Sequence, residues 1–157
     1  MLNQSFPKLN FPEYIFRFKK NEKGDIMIFD TIRKKFIVLT PEEWVRQHLI
    51  RYLVEEKKYP LSLVSVEKSL KLNNTQKRTD LRVYNQKKEL ILLAECKSYA
   101  VSISQKTIEQ ALRYDLSLQA QLIVLSNGLQ HFCFKKNEDG KFLQLQQFPQ
   151  FTELNQI

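Results

Sequence analysis

Short apolar runs in the first forty residues predict β-strands. The runs at 14–19 and 25–29 are rich in Ile, Phe and Tyr, and the polar segment Asn21–Gly24 between them has the composition of a turn. The apolar run at 35–39 continues this pattern, while the first twelve residues contain two Pro and little periodicity. We therefore expect residues 1–39 to form an extended arm followed by a β-hairpin extension.

The next segment has the start signal of a helix. Thr40 can act as N-cap, Pro41 suits the first helical position, and Glu43 completes a capping box. Apolar residues then recur at helical spacing as far as about Glu56. They are Trp44, Val45, His48, Leu49, Tyr52 and Leu53. This pattern predicts a helix with one apolar stripe, in which Trp44 and His48 are packed residues.

The remaining apolar segments predict an α/β fold. Ser104 can cap a second helix that runs to about Ser117. The strand-like segments are 63–70, a hairpin of 81–84 with 89–97, the short run 121–125, and a final hairpin of 131–134 with 142–145. From residue 41 onward the order is helix, three strands, helix and further strands, which indicates a mixed sheet in a single domain of 157 residues.

Composition excludes several functional classes. A hydrophobic fraction of 43% is too high for a disordered chain, and three Gly cannot supply a Walker loop or a GxGxxG turn. Cys96 and Cys133 lack metal-binding spacing, so we expect no zinc site and a reducing, cytoplasmic compartment. No apolar stretch approaches the roughly 18 residues of a membrane span, and no secretion signal precedes the strands. We expect a soluble protein with no membrane partner.

The charge distribution narrows the choice of partner. The chain carries 25 basic and 17 acidic side chains, a formal net charge of +8. Residues 61–114 hold ten of the basic and five of the acidic ones, the largest local excess. A surface that faces a polyanion and an ordinary solvated basic face both fit this pattern.

The residues that most clearly indicate a catalytic site lie in or directly before the hairpin of 81–84 with 89–97. Residues i and i+2 of a strand share a face, so Glu95 and Lys97 point together while Cys96 points into the opposite layer. If the hairpin is symmetric about its loop, Asp80 lies opposite Leu93 and diagonal to Glu95 on the same face. Two carboxylates and an amine suit phosphodiester cleavage with Mg²⁺, for which Mn²⁺ can substitute. An ordinary ion pair at a strand end is the alternative.

Five segments together resemble the N-terminal nuclease domain of type I restriction enzyme R proteins, which belongs to the PD-(D/E)XK superfamily. They are Thr40–Gln47, Val66–Lys68, Arg78–Asp80, Glu95–Lys97 and Gln110–Tyr114. The resemblance implies a restriction-endonuclease-like core over 40–134, with a mixed central sheet flanked by helices and a C-terminal hairpin and tail over 135–157. It also implies Mg²⁺-dependent cleavage of DNA.

The same resemblance assigns roles to individual residues. It matches Asp80, Glu95 and Lys97 to the catalytic group, Asp80, Glu95 and Glu43 to the metal ligands, and Gln110 with Tyr114 to the Gln-x-x-x-Tyr motif. Glu43 is alternatively a capping residue, and Tyr114 a core-edge aromatic. Glu67 is either an accessory residue of the site or a sheet-edge charge. Thr79 replaces the Pro of the motif. We expect no helicase motor of the kind that a full R protein carries within these 157 residues.

Two functions follow from these observations. The first is a Mg²⁺-dependent DNA endonuclease-like domain, with RNA as a less favoured substrate. The alternative is a catalytically silent nucleic-acid-binding or assembly module of a restriction or defence complex. DNA and other subunits of such a system are the expected partners.

Salt dependence tests the basic edge near Asp80, whose members are Lys68, Lys71, Lys77, Arg78 and Arg82. A Lys77→Ala/Arg78→Ala variant should bind duplex DNA more weakly, because each phosphate that a cation neutralises releases about 0.9 counterions. The plot of log affinity against log salt should flatten by about one unit for each phosphate-binding cation removed. Wild-type affinity that is insensitive to salt between about 50 and 200 mM would make this edge a solvated face.

Overall fold

A computed structural model describes residues 6–68 and 79–154, without the side chains of 67–68, 79–80 and 114–118. The strands are β1 (Phe18–Lys20), β2 (Ile26–Asp30), β3 (Lys35–Val38), β4 (Val64–Lys68), β5 (Thr79–Tyr84), β6 (Leu90–Cys96), β7 (Leu122–Ser126), β8 (His131–Lys136) and β9 (Phe142–Leu145). The helices are α1 (Pro41–Arg51), α2 (Gln105–Leu118) and the single turn α3 (Phe151–Leu154). No helix within these described ranges combines the length and apolar composition needed to cross a membrane. The predicted α/β class is confirmed.

The N-terminal strands form a sheet of their own. The hairpin predicted around residues 21–24 is present, and β3 adds a third strand, so the order is β1-β2-β3 with antiparallel pairing throughout. Phe18, Ile28 and Ile37 lie opposite one another and pack towards the core, where Ile28 is fully buried. The inner face of this sheet therefore belongs to the same core as α1.

The capping signals place the start of α1 where the sequence predicts it. Thr40 Oγ1 accepts a hydrogen bond of 3.1 Å from the backbone N–H of Glu43, and Pro41 occupies the first turn. After Arg51 the chain continues as a π-helical turn, Tyr52–Glu56. Every residue from 44 to 50 is buried, including Arg46 and Gln47. The buried surface of α1 is therefore wider than the single apolar stripe that the sequence predicts, because residues 44–50 are buried on all sides of the helix.

The second sheet is mixed, as predicted. Its order is β4-β5-β6-β7-β8-β9, and all neighbours are antiparallel except β6 and β7. The parallel pair is joined through α2, since parallel strands need a crossover connection. Ser104 begins this helix by accepting from the backbone N–H of Thr107 at 3.2 Å.

α1 and α2 pack on opposite faces of this sheet. In β6, Leu92 and Ala94 belong to the core that includes α1, whereas Leu93 packs with Ile108 and Ala111 of α2. The strand is thus covered on both faces, which accounts for its continuous apolar sequence.

The expected register of β5 against β6 is wrong. Asp80 lies directly opposite Glu95, not opposite Leu93, which pairs with Arg82. Two shifts account for the difference from a hairpin that is symmetric about residues 86 and 87. The loop is one residue longer, and Asn85 Oδ1 holds it by accepting from the backbone N–H groups of Lys87 and Glu89. A bulge between Val83 and Tyr84 adds the second shift. Each shift alone would move Asp80 to the other face, but the two together place it directly opposite Glu95 on the same face.

The N-terminal arm is fixed against the ends of β7 and β8. The backbone N–H of Asn10 donates to Gly128 O at 2.7 Å, and Trp44 Nε1 donates to Pro7 O at 2.8 Å. His131 lies 2.8 Å from both Asn10 O and Ser126 Oγ. Because Asn10 O can only accept, His131 Nε2 carries the proton and donates to it. Nδ1 of the neutral ring then accepts from the Ser126 hydroxyl, whose oxygen also accepts from the backbone N–H of Gly128.

A buried ion pair joins the two sheets through α1. Arg46 Nη2 lies 3.2 Å from Asp30 Oδ2, and both side chains are fully buried. Asp30 Oδ1 also accepts from the backbone N–H groups of Ile32 and Arg33, which closes the turn after β2. Burial lowers the pKa of Arg46 to about 10, against the opposing effect of Asp30, so the guanidinium stays charged at neutral pH.

Removal of this arginine should strongly destabilise the fold. Arg46→Met removes the fully buried cation of Asp30 and leaves only Arg33, whose Nε lies 3.5 Å from Asp30 Oδ2, so it should lower the free energy of unfolding by about 3–5 kcal/mol. The double variant Asp30→Asn/Arg46→Met should recover part of this loss, as measured by urea unfolding. Equal stability of Arg46→Met and wild type would contradict a structural role for the pair.

Acid should weaken the contact between His131 and the arm. Burial lowers the pKa of His131, so the unfolded chain takes up a proton near pH 6.5 while the folded chain does not. Protonation thus favours unfolding, and stability should fall as pH drops from 7.5 to 5.5, by at most about 1.4 kcal/mol per pH unit. His131→Gln should reduce this slope in urea titrations. An unchanged slope would assign it to His48, whose pKa is also lowered by burial.

Candidate functional site

Three acidic residues form one row across three neighbouring strands. Asp80 of β5 pairs directly with Glu67 of β4 on one side and with Glu95 of β6 on the other. Directly opposite positions of antiparallel strands lie on the same face, and adjacent strands are about 4.8 Å apart. We call Glu67, Asp80 and Glu95 the acidic row. Its first two side chains lie outside the described part of the structure.

Glu95 and Lys97 stand together as the strand spacing predicts. Lys97 Nζ lies 3.0 Å from Glu95 Oε1, and the two side chains are 27% and 12% exposed. Cys96 between them is buried in the opposite core, as expected. A mostly buried carboxylate with an adjacent, more exposed ammonium group is thus present at the end of β6.

The backbone around Lys97 is held by the neighbouring strand. The N–H of Lys97 donates to Ser126 O at 2.8 Å, at the end of β7. Asn127 Nδ2 donates to Val101 O at 2.8 Å, which fixes the connection that leads into α2. These bonds keep Lys97 beside Glu95 after β6 has ended.

Glu43 is placed among arginines at the start of α1. Its carboxylate contacts Arg46 directly and lies 3.9 Å from Arg33 Nη2. The side chain is 13% exposed. Its role as a metal ligand remains a prediction, and the described contacts give it a structural role beside the Arg46–Asp30 pair.

The remaining expected site residues are described only in part. Gln110 is exposed on α2, and Tyr114 follows one turn later in the same helix. Arg82 is half-buried on β5, two residues after Asp80 and therefore on the face of the acidic row. Lys68 ends β4, while Lys71, Lys77 and Arg78 lie outside the described residues.

The donor set at the acidic row fits a divalent cation. Carboxylate oxygens are the ligands that Mg²⁺ prefers, and the register supplies three carboxylate-bearing positions in one row. No group of three His, Cys, Asp or Glu side chains able to hold a metal occurs among the described side chains, a set that excludes Glu67 and Asp80. The fit therefore rests on the backbone register and on Glu95.

Sequence reasoning missed the ion-pair cluster of Asp30 and Arg46 and the partners of His131. Arg46 lies among apolar neighbours in α1, yet a charged residue in a helix ordinarily faces solvent. Asp30 ends a strand and precedes a turn, where an exposed Asp is common. Only the burial of both residues reveals the pair, and no local sequence pattern predicts that burial.

Comparison with known proteins adds one finding. A family model described as type I restriction enzyme R protein N terminus matches residues 41–149. The match covers α1, the whole six-stranded sheet and α2, and it begins after β1–β3. Neither a curated protein nor a solved structure matches the chain significantly.

Proposed function

Because the chain belongs to the family of type I restriction enzyme R protein N-terminal domains, we propose that it is a Mg²⁺-dependent endonuclease domain of the PD-(D/E)XK type, acting on phosphodiester bonds of DNA. The observation that carries the proposal is the acidic row with Lys97 beside its last member. A carboxylate row and an ammonium group on one face are the groups that such a reaction requires.

The fold supports this proposal. From α1 onward the order is helix, three antiparallel strands, helix and a strand parallel to the third. The first four strands of the second sheet, β4–β7, thus form a mixed sheet with α1 and α2 on opposite faces. A mixed central sheet flanked by helices is consistent with the PD-(D/E)XK core that we propose.

Asp80 and Glu95 are the residues that would hold Mg²⁺, with Glu67 as an accessory carboxylate. The cation, when bound, neutralises phosphate charge and lowers the pKa of water. Lys97 would place its ammonium group against a phosphate oxygen or the attacking water, since it has three N–H donors and its ion pair with Glu95 keeps it at the site. Glu95 therefore has two tasks, to hold the cation and to orient Lys97.

A silent binding or assembly module remains the second candidate function. The observation in its favour is Glu43, whose carboxylate is already engaged by Arg46 and Arg33. If Glu43 stays in those contacts, the cation has fewer protein ligands. DNA and further subunits of a restriction or defence system are the proposed partners in both cases.

Cleavage separates the two functions. Wild-type protein should nick or cut plasmid DNA with Mg²⁺ or Mn²⁺, and Lys97→Ala should reduce the rate by about 10²–10³-fold, the typical effect of removing a charge-stabilising donor. Lys141→Ala, which removes an exposed lysine between β8 and β9, is the matched control. Cleavage by Lys97→Ala at the wild-type rate would reduce the lysine to a structural charge.

A metal-binding measurement distinguishes the proposed ligand Asp80 from Lys97, which is not proposed to bind the cation. In calorimetry with Mn²⁺, Asp80→Ala should lose the binding signal and Lys97→Ala should keep it, because the ammonium group does not bind the cation. Asp139→Ala removes an exposed carboxylate and should behave as wild type. Mn²⁺ binding with no cleavage under any condition would favour the silent module.

A further inference from the structure

The outer face of the N-terminal sheet carries an unusual set of residues. Arg17 lies opposite Phe29, which pairs with Phe36, and Lys19 pairs with Met27 in the adjacent row. These residues alternate with the buried row of Phe18, Ile28 and Ile37, so they face away from the core. We call Arg17, Lys19, Met27, Phe29, Phe36 and Val38 the outer face.

Cations lie directly over the aromatic rings of this face. The Arg17 guanidinium carbon is 4.5 Å from the centroid of Phe29 and 5.5 Å from that of Phe36. Lys19 Nζ is 4.4 Å from the Phe36 centroid. Both cations are exposed and both rings are only half-buried. A guanidinium stacked on a ring offers a planar cationic surface on which a base can stack.

A small cavity borders the outer face and offers hydrogen-bond donors. Its volume is about 80 Å³, and Arg17, Phe29, Thr31, Gln47 and Arg51 contribute to its lining, which includes no acidic residue. Gln47 is 2% exposed, and its Nε2 has no hydrogen-bond partner among the described residues. A buried N–H group without a partner is costly, so an acceptor from outside the chain would satisfy it.

Local charge identifies the kind of ligand. Residues 17–35 hold seven basic and three acidic side chains, and one of the acids is Asp30, buried against Arg46. The excess of four is half of the net charge of the whole chain. A polyanion with flat apolar groups complements both the cations and the rings, and single-stranded DNA combines the two properties.

We propose that the outer face binds a single-stranded segment of DNA, with bases against the cluster of Arg17, Phe29 and Phe36 and a phosphate at the cavity near Arg17 and Gln47. The choice of DNA as the nucleic acid rests on the proposed function. The outer face itself precedes residue 41, where the family match begins, whereas Gln47 and Arg51 of the cavity lie inside the matched range. None of these residues belongs to the acidic row. The outer face would hold a strand independently of the cleavage chemistry.

Fluorescence anisotropy with a labelled oligothymidine tests the proposal. Arg17→Ala/Lys19→Ala should weaken binding by about tenfold and flatten the salt slope by about 1.4 units, since each phosphate contact on a single strand contributes about 0.7. Phe36→Leu should weaken binding by about tenfold with an unchanged slope, because it removes stacking but no charge. Gln47→Leu should weaken binding with little change in slope. Lys135→Ala/Lys141→Ala, which also removes two exposed lysines, should bind as wild type.

Several results would overturn this inference. Wild-type affinity of Arg17→Ala/Lys19→Ala, or an equal loss in the Lys135→Ala/Lys141→Ala control, would make the outer face a solvated surface. Wild-type affinity of Phe36→Leu, or equal losses of duplex and single-stranded binding, would exclude stacking. The cleavage assay with Lys97→Ala is a separate measurement. Binding to the outer face can therefore be tested even if the protein does not cleave DNA.

Discussion

The buried pair of Arg46 and Asp30 is the interaction on which the arrangement of the two sheets depends. Neither side chain of the pair is exposed to solvent. Separating the two charges inside the protein is costly, because each would become an unpaired buried ion. Asp30 ends β2 and Arg46 lies on α1, so the pair fixes the N-terminal sheet against the helix. Glu43 and Arg33 extend the pair into a cluster at the surface.

Strand β6 connects that constraint to the candidate site. Its residues Leu92 and Ala94 pack on the side of α1, and Leu93 packs against α2, so the strand cannot shift without breaking both cores. Glu95 continues the face of Leu93 near the end of the strand, where its side chain is 12% exposed. A carboxylate at the end of a rigid, doubly buried strand keeps its position relative to its neighbours in β5 and β7.

Part of the site could be predicted because it depends on strand geometry alone. The alternation of residues along β6 places Glu95 with Lys97 and Cys96 in the opposite core, whatever the rest of the chain does. The pairing of Asp80 with Glu95 depends on loop length and on a bulge. The Asn85 side chain fixes the loop length by three hydrogen bonds to Lys87 and Glu89. The pattern of apolar residues does not predict these bonds.

The sequence by itself determined the element order, the cap of α1 at Thr40 and the mixed sheet, because these follow from local spacing, capping chemistry and the need for a crossover between parallel strands. Tertiary structure alone decided that residues 44–50 of α1 are buried on every side of the helix and that Arg46 is paired with Asp30. It also decided that His131 holds the arm through Asn10. These contacts join residues far apart in the chain, and periodicity reports only which residues share a face, not what covers that face.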